Sequence, residues 1–200
     1  MISAKVLGVC GVAAALAADQ VSKAAANAYS DFLAGGIPVF PGFNLIFLRN
    51  DGVTFGLLGG VPWWALSGLA LGIIVWVAIL LVQTGNRLEA TAYGLIIGGA
   101  LGNVADRLRF GAVTDFLDIY VGTWHWPAFN LADVAVVGGV GVLLLSELRP
   151  ATLPNGNLNV RAGLDRVRSL LLATKYLCIL MCVIGVLEFQ RRVGDAEFLR

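Results

Sequence analysis

From Gly52 to Asn86 the chain carries no charged side chain, and within that run residues 61–82 are almost purely apolar. A bilayer core needs about 20 consecutive apolar residues to be crossed by a helix. A run of this kind has few places to go except lipid, and the rest of the chain agrees. It is 58% hydrophobic with only 14% charged residues, and its mean hydropathy is +0.81. Those values exclude an ordinary soluble domain. The 200 residues suit one helical membrane bundle and leave little room for a separate soluble domain.

Other function classes fall away on composition. A net charge of +1 gives no electrostatic basis for binding nucleic acid. Cys10, Cys178 and Cys182 lie in apolar segments without metal-ligand context, so neither a disulfide nor a zinc site is expected. Ser22, Ser67 and Ser146 have no partner constellation for serine catalysis.

The apolar pattern predicts four spans, at about 5–28, 61–83, 90–107 and 128–148. Lys5, the apolar stretch after it and Ala15–Ala17 also fit a cleaved signal peptide, but helix-forming residues continue past Asp19, which favours a retained helix. Between the first two spans, residues 36–60 alternate apolar and polar between paired glycines and prolines, the pattern of a short β-hairpin or a half-buried extended segment. Gly94, Gly98 and Gly102 repeat at a spacing that lets helices approach closely in lipid. Residues 150–200 form a C-terminal extension, with a loop in "PATLPNGNLN" and an apolar stretch, 169–188, expected to be an interfacial or half-buried helix, or a segment packed against the bundle, rather than a fifth span.

Four spans with short connections alternate in direction. Asp19, Asn50, Asp106, Asp115 and Asp133 therefore share one membrane side. The positive-inside rule is nearly tied over the first 150 residues, and Arg161, Arg166 and Arg168 tip the shared side outward.

An aspartate at a membrane costs a few kcal/mol or more, so it has a partner or a task. Asp19 stands four residues before Lys23, the spacing of a helical ion pair. Asp106 adjoins Arg107 and Arg109, and a pair among them is expected to brace the helix end. Asp133 has no cation near in sequence, and Asn130 lies on its helical face. Asp115 is likewise without an adjacent cation, in what reads as a loop. Two carboxylates brought together couple their ionisations, so that a water between them meets both an acid and a base. Paired carboxylates also serve proton relays and transporters, and a small transporter or proton-relay protein is the alternative reading. Asp118 stays open between a solvated loop and a supporting role. His125, in "TWHWP", reads as part of an interfacial aromatic cluster.

Five short motifs stand in one order along the chain: "DQVSK" (Asp19–Lys23), "RNDGVTF" (Arg49–Phe55), "GNVADR" (Gly102–Arg107), "VTDFLD" (Val113–Asp118) and "FNLAD" (Phe129–Asp133). Together they resemble the bacterial lipoprotein signal peptidase family, also called signal peptidase II, over about residues 5 to 149. The resemblance implies an all-α, four-span bundle with a small extracytoplasmic β-cradle. It implies an aspartic endopeptidase that removes the signal peptide of a prolipoprotein just before a diacylglyceryl-modified cysteine. Asp115 and Asp133 would be its catalytic pair, and Asp19, Lys23, Asn50, Gly52, Asn103, Asp106, Arg107 and Asn130 would shape the site or hold substrate. No metal or organic cofactor is implied. Membrane lipid and prolipoprotein are the expected partners, a monomer the expected state, and the bacterial inner membrane the expected location. Thr54 departs from the alanine often found at that position in the family, which bears on packing near substrate and not on the aspartates.

Overall fold

The computed structural model describes residues 2–50 and 62–147, together with the backbone of a short strand pair at 151–152 and 158–159. Gly52, Thr54 and the apolar stretch 169–188 lie outside the described residues, as do Cys178 and Cys182.

Among the described residues, four long helices form the bundle: α1 (Ala4–Ala28), α3 (Trp63–Gln83), α4 (Arg87–Phe110) and α5 (Leu131–Glu147), with a short α2 (Ser30–Leu33) after the first. Local chemistry sets their ends. Ser3 caps α1 by accepting from the Val6 amide at 3.3 Å, and Asn86 caps α4 by accepting from Leu88 N–H at 2.9 Å. Such caps satisfy amides that have no partner within the helix. Helix α4 stops at Gly111, whose φ of 70° closes the helix with a left-handed residue.

Helix α4 packs against α1, α3 and α5, and its composition explains how it can stand at the centre. A β-carbon at Gly98 would sit 2.6 Å from the Val12 carbonyl of α1, and one at Gly94 would collide with the Gly8 carbonyl. On the next face Gly99 meets the Ala132 carbonyl of α5. The helices touch backbone to backbone because no side chain intervenes. Below the site, Val77, Leu81, Ala90, Ala92, Ile96, Ile97, Val140 and Leu143 fill the core. The outward face of α3 is apolar instead, exposing Leu69, Leu71, Val75, Trp76, Ile79 and Val82. Among the described residues, α1 and α3 are long and apolar enough to cross a membrane, and α5 is apolar but shorter.

At one end of the bundle lies a four-stranded antiparallel sheet in the order β1 (Ile37–Phe40), β2 (Phe43–Asn50), β3 (Val113–Val121), β4 (Trp124–His125). Among the described residues, a second sheet pairs β5 (Ala151–Thr152) with β6 (Leu158–Asn159). The segment around Asp115 is thus a strand and not the loop its sequence suggested. Val113, Thr114, Asp115 and Phe116 are all buried, because this start of β3 is enclosed by β2 on one side and the bundle end on the other. Phe116 packs with Ala26 and Leu33, and this small core ties the sheet to the end of α1. A bulge between Leu45 and Leu48 shifts the pairing so that Leu48 faces Asp115 and Asn50 faces Val113.

Candidate active site

The five polar residues expected on one side are joined by hydrogen bonds where sheet and bundle meet. Asp115, on β3, accepts from Asn50 Nδ2 at 3.0 Å and from Asn130 Nδ2 at 2.6 Å. Asp133, in the first turn of α5, accepts from Asn103 Nδ2 at 2.9 Å and from the Asn130 backbone N–H at 3.1 Å. Asn130 also accepts from the Asp133 amide at 3.1 Å. That reciprocal pair is a capping box: the N-cap side chain takes the amide three residues on, and the side chain at that position reaches back to the N-cap amide. "NLAD" therefore does two jobs. It starts helix α5, and the same asparagine holds both aspartates.

Behind this pair stands a second cluster. Lys23 is 1% exposed and Asp19 fully buried, and their side chains meet at 3.0 Å. Lys23 Nζ also donates to Asn103 Oδ1 at 2.8 Å and lies 3.7 Å from Asp106. The other Asp19 oxygen accepts from the Ala132 amide at 3.0 Å, which satisfies another free donor of the α5 terminus. Gly102 lies against the Asp19 carboxylate, which leaves no space there for a β-carbon. Asp106 accepts from the Thr114 amide at 2.8 Å and so fixes the start of β3.

These contacts correct one sequence expectation and resolve one reading left open. Asp106 pairs with Lys23 from another helix, and not with Arg107 or Arg109. Arg107 instead reaches the Asn103 carbonyl at 3.5 Å, and Arg109 donates to Gln20 at 2.6 Å. Asp118 is no solvated loop residue: it is 3% exposed, accepts from Asn44 at 2.9 Å and meets His125 Nδ1 at 2.9 Å. The His125 ring stacks on Tyr120, with centroids 5.1 Å apart. Asp118 thereby pins β2, β3 and β4 together.

Sequence reasoning missed Arg49 as an organiser of the junction. Its guanidinium donates to Thr114 and Asn27, each at 2.7 Å, and stacks over Phe110 at 4.0 Å. The register that brings it opposite Thr114 depends on the bulge in β2, which no local pattern announces.

A bundle with an apolar outer face, capped by a sheet and holding two aspartates on one asparagine, defines the class of a helical membrane enzyme with a carboxylate pair at the end of its bundle. The comparisons narrow that class. The model of the signal peptidase (SPase) II family matches residues 12–149, and the chain belongs to that family of peptidases. The lipoprotein signal peptidase of Anaplasma marginale (strain Florida) is 41% identical over 150 residues, covering 74% of this chain and 87% of the relative. That of Burkholderia mallei (strain SAVP1) is 50% identical over 113 residues, covering 54% and 68%. Two solved structures, each described as a bacterial membrane enzyme obtained by the in meso method, have the same fold. The one at 1.9 Å resolution aligns with TM-score 0.59 and 27% identity, over 72% of this chain and 94% of its own. The one at 2.3 Å aligns with TM-score 0.57 and 26% identity, over 71% and 87%.

Proposed function

We propose that Asp115 and Asp133 are the catalytic pair with which this signal peptidase II family member removes signal peptides from prolipoproteins. The observation that carries the reading is Asn130, whose amide donates to Asp115 while its backbone N–H donates to Asp133. One residue thereby fixes a strand carboxylate and a helix carboxylate in a common position. Activated water then needs no further group. One aspartate takes a proton from water as the oxygen attacks the scissile carbonyl. The other brings a proton that polarises this carbonyl and then goes to the leaving nitrogen. Asn50, Asn103, Asn130 and the Asp19–Lys23–Asp106 cluster hold that geometry, and Arg107 borders the substrate.

The finer assignments follow from the same reading. The substrate carries a diacylglyceryl-cysteine, and lipid holds its scissile bond at the membrane surface. The apolar faces of α1, α3 and α5 support a multi-pass bundle of four spans. Helix α4 is the least apolar of them because it packs on protein from three sides. Residues 1–149 form the peptidase unit and 150–200 an extension. The site opens on the extracytoplasmic side of the inner membrane, and the chain acts as a monomer. A transporter would need polar groups along its spans. Within 66–82 of α3 the sole polar side chain is Ser67, and it is occupied by the Trp63 carbonyl at 2.9 Å.

The test is cleavage of a diacylglyceryl prolipoprotein by membranes containing Asp115→Asn or Asp133→Asn. Each variant accumulates normally and cleavage falls by at least about a hundredfold, the lower end of what positioned acid–base groups contribute. Normal cleavage by either variant would end the assignment.

A further inference from the structure

Asn103 joins the two clusters, and its orientation is dictated from one side. Lys23 Nζ can only donate, so it takes the Asn103 oxygen, at 2.8 Å. The amide nitrogen is thereby turned toward Asp133 Oδ1, at 2.9 Å. A carbonyl that accepts from a cation makes its own N–H₂ a stronger donor, since hydrogen bonds in a chain polarise one another in a low dielectric. Lys23 cannot drift, being buried between Asp19 and Asp106. The other Asp133 oxygen faces the N-terminus of α5 and accepts from the Asn130 N–H, where the helix dipole favours negative charge. Asp115 stands on a strand, and sheets supply little net dipole.

The hydrogen bonds to Asp133 favour its charged form, and the inference rests on the catalytic-pair reading above. We propose that Lys23 is a positioning residue that, through Asn103, commits Asp133 to be the proton acceptor of the pair, leaving Asp115 to carry the catalytic proton. In the step, water gives a proton to Asp133 and its oxygen bonds to the carbonyl carbon. The Asp115 proton passes to the leaving nitrogen as the C–N bond breaks. The pair then holds one proton again, now on Asp133, and its transfer to Asp115 restores the starting state. Among the described residues, the charged groups at the junction are Asp115 from β3, Arg49 from β2, Asp19 and Lys23 from α1, and Asp106 and Arg107 from α4. Among them Lys23 is the cation coupled to Asp133 through a single amide.

The experiment is the pH dependence of kcat for the full chain in detergent micelles, with a diacylglyceryl prolipopeptide as substrate and Lys23→Met as the variant. Removing the cation makes ionised Asp133 less favourable, so the acidic limb moves to higher pH by about one unit, the lower end of what a nearby opposite charge contributes. KM stays unchanged and the alkaline limb does not move. Asn103→Ala, which retains the Lys23–Asp19 pair, shifts the same limb in the same direction, and it decides the matter if Lys23→Met does not accumulate. A uniform loss of kcat with both limbs in place, or movement of the alkaline limb alone, overturns the proposal. Inactive Asp115→Asn and Asp133→Asn beside unmoved limbs would remove only this assignment. Active Asn variants would remove the pair itself.

Discussion

Two clusters of acids lie side by side at the end of this bundle, and their partners differ in kind. Asp19 and Asp106 are matched by the ammonium of Lys23 and by backbone amides of α5 and β3. Asp115 and Asp133 are held by the neutral amides of Asn50, Asn103 and Asn130. An ion pair buried among helices locks an arrangement and gives little chemistry, because neither partner can change charge without stranding the other. Carboxylates fixed by amides stay oriented yet can exchange a proton. The same residue type thus meets an ammonium in one cluster and side-chain amides in its neighbour, and the proposed division into brace and reagent rests on that contrast.

That contrast can be broken from the brace side. Asp19→Ala leaves Lys23 short of its closest counter-charge and frees the Ala132 amide. Removing one member of a buried pair costs about 3–5 kcal/mol, so the melting temperature in detergent should fall sharply. A variant that melts like the wild type would mean that the cluster is no brace. Asn130→Ala sharpens the comparison because this residue serves both functions. Loss of the cap costs about 1 kcal/mol, a modest drop in melting temperature, while cleavage falls far more than stability does. Proportionate losses would place Asn130 with the brace alone.

His125→Phe touches the sheet only. It keeps an aromatic ring on Tyr120 and loses the Asp118 contact, which should cost about 1 kcal/mol and leave cleavage within roughly twofold, since only the outer strands loosen. A large fall in cleavage would show that the outer strands shape the site. Glu89→Gln is the control at the far end of the bundle, where among the described residues Glu89 meets Thr84 and Asn86. Cleavage should stay at the wild-type value and melting change little, because glutamine keeps an oxygen for these contacts and the change costs no more than about 1 kcal/mol.

Much of this arrangement was legible in the sequence because lipid and helix geometry impose regular patterns. The Asp19–Lys23 pair follows from a spacing of one helical turn, and the close packing of α1 on α4 from the glycine repeat. The capping box in "NLAD" was missed, since helical spacing sets Asn130 on the face of Asp133; an asparagine three positions before an aspartate was the available signal. The partner of Asp106 was not legible, since Lys23 reaches it from a helix more than eighty positions earlier. Local reasoning assigned it the nearest arginines instead. Strand β3 was missed for a related reason. Its buried start carries polar Thr114 and Asp115, which hide the apolar run of a strand enclosed on both faces. The turn residues Gly111 and Gly122 that bound it were the available signal.

The central claim is that Asp115 and Asp133 act as one unit, and a double-mutant comparison addresses it most directly. Residual cleavage by Asp115→Asn, Asp133→Asn and the combined variant would be measured in the same membranes with a sensitive product assay. Groups that share one proton-transfer step lose their effect together, so all three residual rates should coincide. A combined variant slower than either single one by the product of their separate losses would show two independent contributions, and would contradict the account.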